Sequence, residues 1–314
     1  MQINLKVHIG KNSFKNVLSP VITVGTFDGV HKGHQKIITR IKSIANETGG
    51  ESVLLTFDPH PRKVLFSDEN SLMLINTLKE KIHLLDNLGL DHLIIYPFSK
   101  EFSRISPTSY VRDLLVNELN ISTLVIGYDH HFGRNREGNF NLLQELSTVY
   151  DFNLEEITAQ EINEIKISST KIRTALSIGE IEKANGYLGH KFSICGTVIE
   201  GNKLGREIGF PTANIMISDK DKIIPANGVY AVNICTEEIW HKGMMNIGYK
   251  PTINKNNTQI SKEVHIFNFN KDLYDKEIVV EFIACIRKEK KFPDLDSLNK
   301  QLIKDKQDAL QLLK

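Results

Sequence analysis

The sequence predicts an α/β chain of two domains: a doubly wound parallel-sheet domain over residues 1–185, then a small antiparallel β-barrel or sandwich with a terminal helix over residues 186–314. Three observations predict it. The chain has 314 residues, about twice the roughly 150 of an ordinary domain. In its first part, continuous apolar runs alternate with amphipathic helical stripes, the pattern of strands buried on both faces by helices. After Asn185–Gly186, short strand-like segments follow one another between loops rich in Gly, Pro and Asn.

The elements follow in order. Val21-Ile22-Thr23-Val24 is β-branched and runs into Gly25, which predicts a strand. Ile37, Ile38, Ile41, Ile44 and Ala45 form a helical stripe after Gly33. Val53–Phe57 is the next apolar run. A helix follows with Leu78, Ile82, Leu85 and Leu88 on one face, stopped by Gly89. Leu93–Tyr96 and Leu124–Ile126 are further strands. Between them Ser106-Pro107 reads as an N-cap and first turn of a helix running to about Leu119. In the second part the strand-like segments are Phe192–Ile199, Gly228–Cys235, Ile239–Ile247, Lys262–Phe269 and Glu277–Ile286. Leu295 to Leu313 reads as a long helix. The charge run Arg287–Lys291 reads as a solvated strand end.

Composition narrows the class. At 40% hydrophobic and 25% charged residues, the chain is neither disordered, collagenous nor disulfide-dense. Lys+Arg is 39 and Asp+Glu 38, a net charge of +1. That balance offers no general attraction to nucleic acid or to an anionic membrane and still leaves room for a local anion site; the expected partners are small-molecule substrates. No run approaches the roughly 18 apolar residues of a membrane span. The first residues lack the basic and apolar pattern of a signal peptide. Cys195, Cys235 and Cys285 are far apart and form no C-x-x-C pair. They suggest neither a zinc site nor a disulfide framework, and a reducing cytoplasm is expected.

Two regions carry chemistry. Gly25-Thr26-Phe27-Asp28-Gly29-Val30-His31-Lys32-Gly33-His34 joins the strand Val21–Val24 to the first helix. Ligands of open α/β sheets bind at the carboxyl ends of strands, and a helix N-terminus there favours phosphate. His31 and His34 are one helical turn apart and share a side. Paired imidazoles beside a phosphate site suit a reaction at phosphorus, where they can hydrogen-bond oxygens whose charge grows. Ile167-Ser168-Ser169-Thr170-Lys171-Ile172-Arg173 opens another helix with hydroxyls and then Arg, a second anion clamp.

The second region is Gly201-Asn202-Lys203-Leu204-Gly205-Arg206-Glu207-Ile208-Gly209-Phe210-Pro211-Thr212-Ala213-Asn214. Its glycines recur at intervals of four, which lets the loop lie flat over phosphates; it is not a Walker A loop. Thr212 and Asn214 alternate along an extended segment, so both side chains face one way. Hard oxygens of this kind suit Mg²⁺. Glu263 shares a strand face with His265 and Phe267. A carboxylate there can act as base toward a hydroxyl if that face lines a pocket.

The first half resembles the HxGH nucleotidyltransferase superfamily. Together with Thr56-Phe57-Asp58-Pro59-His60-Pro61 and Ile126-Gly127-Tyr128-Asp129-His130-His131-Phe132-Gly133, it looks like the adenylyltransferase half of the bifunctional prokaryotic FAD synthetases. Four motifs occur in the family's order over about 160 residues. The resemblance implies that Gly25, Phe27, His31, His34, Ser168, Ser169, Thr170 and Arg173 hold ATP. His31, His34 and Arg173 would be catalytic, and Asp58, His60 and Asp129 would line the flavin and nucleotide side. It further implies direct attack of the FMN phosphate on the α-phosphorus, with pyrophosphate leaving. His130 departs from the pattern, which commonly has Phe there.

In the second half, Gly-Arg-x-x-Gly-Phe-Pro-Thr-Ala-Asn, Asn246-Ile247-Gly248-Tyr249-Lys250-Pro251-Thr252, Glu263-Val264-His265 and Leu273-Tyr274 resemble the riboflavin kinase domain. That resemblance implies a six-stranded Greek-key barrel. It implies ATP on Gly201, Gly205, Gly209, Thr212 and Asn214, with Mg²⁺ on Thr212 and Asn214. Glu263 would accept the proton of the ribityl 5′-hydroxyl. The segment Ile253–Ser261 is polar and looks like a mobile loop. The implied activity is bifunctional: riboflavin to FMN, then FMN to FAD, both with ATP.

Overall fold

The computed structural model describes residues 4–10, 14–66, 72–128, 130–158, 167–201, 205, 208–249 and 260–314. It falls into two compact units, Met1–Ser168 and Ser169–Lys314. The composition break at Asn185–Gly186 therefore lies inside the second unit, within a helix.

The first unit is a six-stranded sheet in the order β1-β4-β3-β2-β5-β6. The strands are β1 Lys6–Ile9, β2 Val21–Val24, β3 Ser52–Asp58, β4 His92–Pro97, β5 Thr123–Gly127 and β6 Asn153–Ile157. Every neighbouring pair is parallel. Although β2 reads as one apolar run, its residues part by period two. Ile22 and Val24 enter one core with Leu124, Ile126, Val111 and Leu115, while Val21 enters the other with Ile38, Ile41 and Leu85. Helix α1, Lys32–Thr48, ends on Gly49 with φ 67, and α3, Leu78–Asn87, opens with a Thr77–Glu80 capping box. Between them lies the short α2, Pro61–Leu65. The helix after Ser106 begins as α4, Pro107–Ser109, and continues as a π-helix over Tyr110–Glu118. Helix α5, Phe140–Tyr150, precedes β6. The strand order reverses at β2, whose neighbours are β3 and β5. A crevice at the carboxyl ends of strands on either side of such a reversal is where open α/β sheets place ligands.

The second unit opens with α6, Ser169–Ser177, and α7, Ile181–Leu188. They precede a closed antiparallel barrel, β10-β11-β8-β7-β12-β9. Its strands are β7 Ser193–Ile199, β8 Ala213–Met216, β9 Gly228–Thr236, β10 Ile239–Tyr249, β11 Ile260–Ile266 and β12 Glu277–Lys288. The connections β8→β9 and β11→β12 skip their spatial neighbours, the Greek-key device. Helix α7 is tied to the barrel through Asn185, whose amide donates to the Phe282 carbonyl (2.8 Å) and accepts from the Phe192 N–H (2.7 Å). The terminal helix α8, Leu295–Leu312, buries Ala309 against Ala231, Met244 and Phe267.

The charge run at 287–291 is not wholly a solvated strand end. Arg287 does not end the strand in solvent: it forms a bidentate pair with the fully buried Asp305 of α8 at 2.8–3.0 Å. Lys288 to Lys291 are exposed as expected. The three cysteines are half-buried and none is in a disulfide.

Candidate active sites

The first site forms where β2 meets α1. His31 is the N-cap of α1, with extended backbone (φ −68, ψ 169), and its Nδ1 faces the His34 N–H at 3.4 Å. The two imidazoles stack with centroids 3.6 Å apart, and Phe27 stacks on the far face of His34 at 4.4 Å. Spacing placed both histidines on one side; the structure adds that they touch face to face. The turn reaching them is strained. Phe27 (φ 45) and Val30 (φ 40) take left-handed backbone without being glycine, and Gly29 lies between them at φ 91. At Gly25 a Cβ would lie 2.9 Å from the Phe27 ring, so only glycine lets that ring lie across the strand end. Burial, then His31, then Lys81 hold the His34 imidazole well below its ordinary pKa.

Asp58, at the exposed end of β3, acts electrostatically on the same Lys81 and so belongs to this end of the sheet. His60 caps α2, its Nδ1 accepting from the Arg62 N–H at 3.2 Å. Asp129 lies outside the described residues. Ser168 closes the first unit, whereas Ser169, Thr170 and Arg173 lie on α6 of the second.

The motifs did not reveal a run of aromatic rings in the first unit. Phe57, Phe98, Phe102, Tyr110, Phe132 and His130 follow one another, with Tyr96 packed against Phe102, at centroid distances of 4.9–6.2 Å. A signal for it exists: Phe57 and Phe98 stand at and just beyond the carboxyl ends of β3 and β4, and Phe132 lies on the segment that follows β5. His130, the residue that departs from the expected Phe, stacks on Phe132 at 5.9 Å.

The second site is a cavity of about 280 Å³ between the barrel and α8. Thr212, Asn246, Glu263 and His265 line it, with Phe210, Met244, Phe292, Leu298 and Leu302 as its apolar wall. Glu263 therefore lies on the cavity face. It accepts from Ser261 Oγ at 2.7 Å and from Thr212 Oγ1 at 3.5 Å. Across the β8–β11 ladder it stands opposite Asn214. His265 bonds through Nδ1 to the Pro211 carbonyl at 2.7 Å, and burial lowers its pKa. Asn202 to Leu204, Arg206 and Glu207 lie outside the described residues, as do positions 250–259. The flanking glycines serve different ends. A Cβ at Gly201 would fall 2.0 Å from Asn214 Nδ2, and one at Gly205 would fall 2.2 Å from the Phe210 carbonyl oxygen, so both permit close approach. Gly209 has φ 78 and serves the turn.

A family model described as FAD synthetase matches residues 15–171, and one described as riboflavin kinase matches residues 188–313. The chain belongs to the bifunctional riboflavin kinase/FMN adenylyltransferase family. Its relatives of that description include proteins from Bacillus subtilis (40% identical, covering 92% of this chain and 91% of that one) and Escherichia coli K12 (35%, 91% and 90%). Another, from Buchnera aphidicola of Schizaphis graminum, is 39% identical and covers 96% of each chain. The fold is also similar to a crystal structure described as a macrolide-efflux protein from Streptococcus pneumoniae. That likeness has a TM-score of 0.85 at 30% identity and covers 96% of this chain and 97% of that one. Among the described residues, no helix is long and apolar enough to cross a membrane. The FAD synthetase match holds the histidine turn and the aromatic run; the riboflavin kinase match holds the barrel cavity.

Proposed function

We propose that the two sites divide the work of a bifunctional enzyme. The barrel cavity phosphorylates riboflavin to FMN, and the histidine turn adenylylates FMN to FAD with release of pyrophosphate. The observation that carries this reading is the presence, in one chain, of a stacked histidine pair at a strand-to-helix turn and a Thr212–Glu263 cavity in a separate barrel.

In the barrel, Glu263 accepts the proton of the ribityl 5′-hydroxyl as that oxygen bonds to the γ-phosphorus of ATP and ADP leaves. The apolar wall of Phe210, Met244 and Leu302 suits the flat flavin ring. Gly201, Gly205 and Gly209 let backbone approach the ATP phosphates. A hydroxyl, an amide oxygen and a carboxylate meet at Thr212, Asn214 and Glu263, all hard donors that fit Mg²⁺. Thr212 and Asn214 would hold that ion, which supplies charge neutralisation on the phosphates when bound.

In the first unit, a phosphate oxygen of FMN attacks the α-phosphorus, and the bond from that phosphorus to the bridging oxygen of pyrophosphate breaks. His31 and His34 hydrogen-bond the oxygens on which charge grows. Gly25 and Phe27 shape the turn for ATP, and Asp58, His60 and Asp129 line the nucleotide and flavin side. The aromatic run ending at Phe132 and His130 supports a stacked flavin there. The family resemblance, rather than any placement of one unit against the other, assigns the triphosphate to Ser168, Ser169, Thr170 and Arg173. In this reading residues 1–185 supply the adenylyltransferase and residues 186–314 the kinase, in a cytoplasmic enzyme. The test is incubation with riboflavin, ATP and Mg²⁺, with FMN and FAD followed by chromatography. Sequential appearance of both is expected, and supplied FMN should release pyrophosphate. ATP-dependent FMN without any FAD would refute the adenylyltransferase assignment.

A further inference from the structure

The histidine turn is braced by a segment that belongs to none of the motifs. Asp28, 2% exposed, accepts hydrogen bonds from the Ile75 N–H at 3.0 Å and the Asn76 N–H at 3.2 Å. In the opposite sense Lys81, 8% exposed on α3, donates from Nζ to the Thr26 carbonyl at 2.7 Å. The capping box Thr77–Glu80 fixes the chain between these two anchors. Positions 26 and 28 are thus held from 75–81, on either side of the left-handed Phe27. A turn with strained backbone persists only when its surroundings over-determine it, and these bonds do so.

The brace also bears on charge. His34 Nδ1 is sealed from solvent and has no hydrogen-bond partner among the described residues. An imidazolium carries a proton on both nitrogens, so charging His34 would bury an N–H without an acceptor. Its ring is stacked on His31, and the buried ammonium of Lys81 opposes a second positive charge. The charged groups facing this assembly are Asp28 on the turn, Asp58 at the end of β3 and Lys81 on α3. Burial pushes the Lys81 ammonium down, and the two carboxylates hold it up.

We propose that Lys81 is a positioning residue for adenylyl transfer, fixing the Thr26–His31 turn and keeping the His34 imidazole neutral, so that it serves as a hydrogen-bond donor through Nε2. The proposal rests on the reading that FMN is adenylylated at this turn. It names a neutral donor where an imidazolium would be the alternative, and it assigns work to a side chain about fifty residues away in sequence.

The test uses the full chain. Carbon-edited NMR follows the His34 ring signal against pH, assigned with His34→Gln. In the unmodified chain His34 should titrate well below an ordinary imidazole. In Lys81→Met the midpoint should rise, and the acidic limb of FAD formation from FMN and ATP should move to higher pH with it. The same change should lower kcat for FAD on the order of 10- to 100-fold, the scale of a small misplacement of catalytic groups. Lys81→Arg, which keeps the charge, should return the acidic limb to its original place. Riboflavin phosphorylation by the same preparations should stay unchanged. Titration of His34 near or above 6.5 in the unmodified chain overturns the proposal, whether or not any variant folds. A slower Lys81→Met enzyme with both midpoints unmoved also overturns it, leaving Lys81 a purely structural role. If the unmodified chain makes no FAD, the functional reading fails, and the NMR titration still decides the state of His34.

Discussion

Replacing Arg287 should unlatch α8 from the barrel. Its guanidinium holds Asp305 through Nε at 2.9 and 3.0 Å and Nη2 at 2.8 Å, and Gln301 adds one bond at 2.8 Å. Side-chain exposure is 20% for Arg287 and 0% for Asp305, so this is a buried pair rather than a surface one. Arg287→Met fills the space with an apolar chain but leaves a buried carboxylate with a single amide donor. Removing one partner of such a pair costs about 3–5 kcal/mol. For a unit of this size that lowers Tm on the order of 10 °C. Removing both charges, Arg287→Met with Asp305→Leu, should recover most of the loss, because the expense lies in the unpaired charge. Arg287→Lys should fall between, since an ammonium cannot reproduce the two-pronged fit. The assay is denaturant unfolding followed by the fluorescence of Trp240, the single tryptophan, which lies on β10 of the same unit. Leu298 and Leu302 of α8 line the barrel cavity with Arg287, so on the proposed reading riboflavin KM should rise in the single variant. A loss below about 1 kcal/mol, the scale of exposed pairs, would refute the reasoning.

Other outcomes follow from the same geometry. His34→Ala should cut FAD formation from FMN by about 10²–10³-fold, the loss of one preorganised donor, with riboflavin phosphorylation retained; equal loss of both activities would argue against separate sites. Glu263→Gln keeps an acceptor for Ser261 and Thr212 but cannot take a proton, so kinase turnover should fall about 10²–10⁴-fold while FAD formation from FMN persists. Unimpaired phosphorylation by that variant would show that Glu263 is not the base. A fragment beginning at Ser169 should melt above one beginning at Gly186, because the shorter one loses α6 and the Asn185 amide that ties Phe192 to Phe282; equal Tm values would mean that these helices add nothing to the barrel. The Leu18 N–H and then His92 pull Glu51 from about 4.5 to about 2, so its contribution to stability is present above pH 4.5 and is lost as pH falls toward 2. Glu51→Gln should flatten acid unfolding in that window, and an unchanged profile would count against the assignment.

What could be read from the sequence was local. One helical turn between His31 and His34, and alternation between Thr212 and Asn214, follow from the repeat of a helix and of a strand, whatever lies around them. The central strands were legible for a related reason: burial on both faces leaves an uninterrupted apolar run. The edge strands were not. Lys6–Ile9 and Asn153–Ile157 each bury only one residue and carry polar side chains, so their signal is weak. Tertiary structure alone decided the rest, because each case joins residues far apart in the chain. Register set Glu263 beside Asn214 and Thr212 on the cavity face, a choice the strand pattern left open. Packing gave α6 and α7 to the barrel unit, although the FAD synthetase match runs on to residue 171, inside α6. Arg287, one of a run of charges in sequence, became the partner of a buried aspartate only because α8 folds back across β12. Lys81 likewise carries no mark in its neighbourhood of sequence. Its burial and its bond to Thr26 exist only once α3 packs beside the turn, since desolvation and hydrogen bonding are properties of what surrounds a side chain in space.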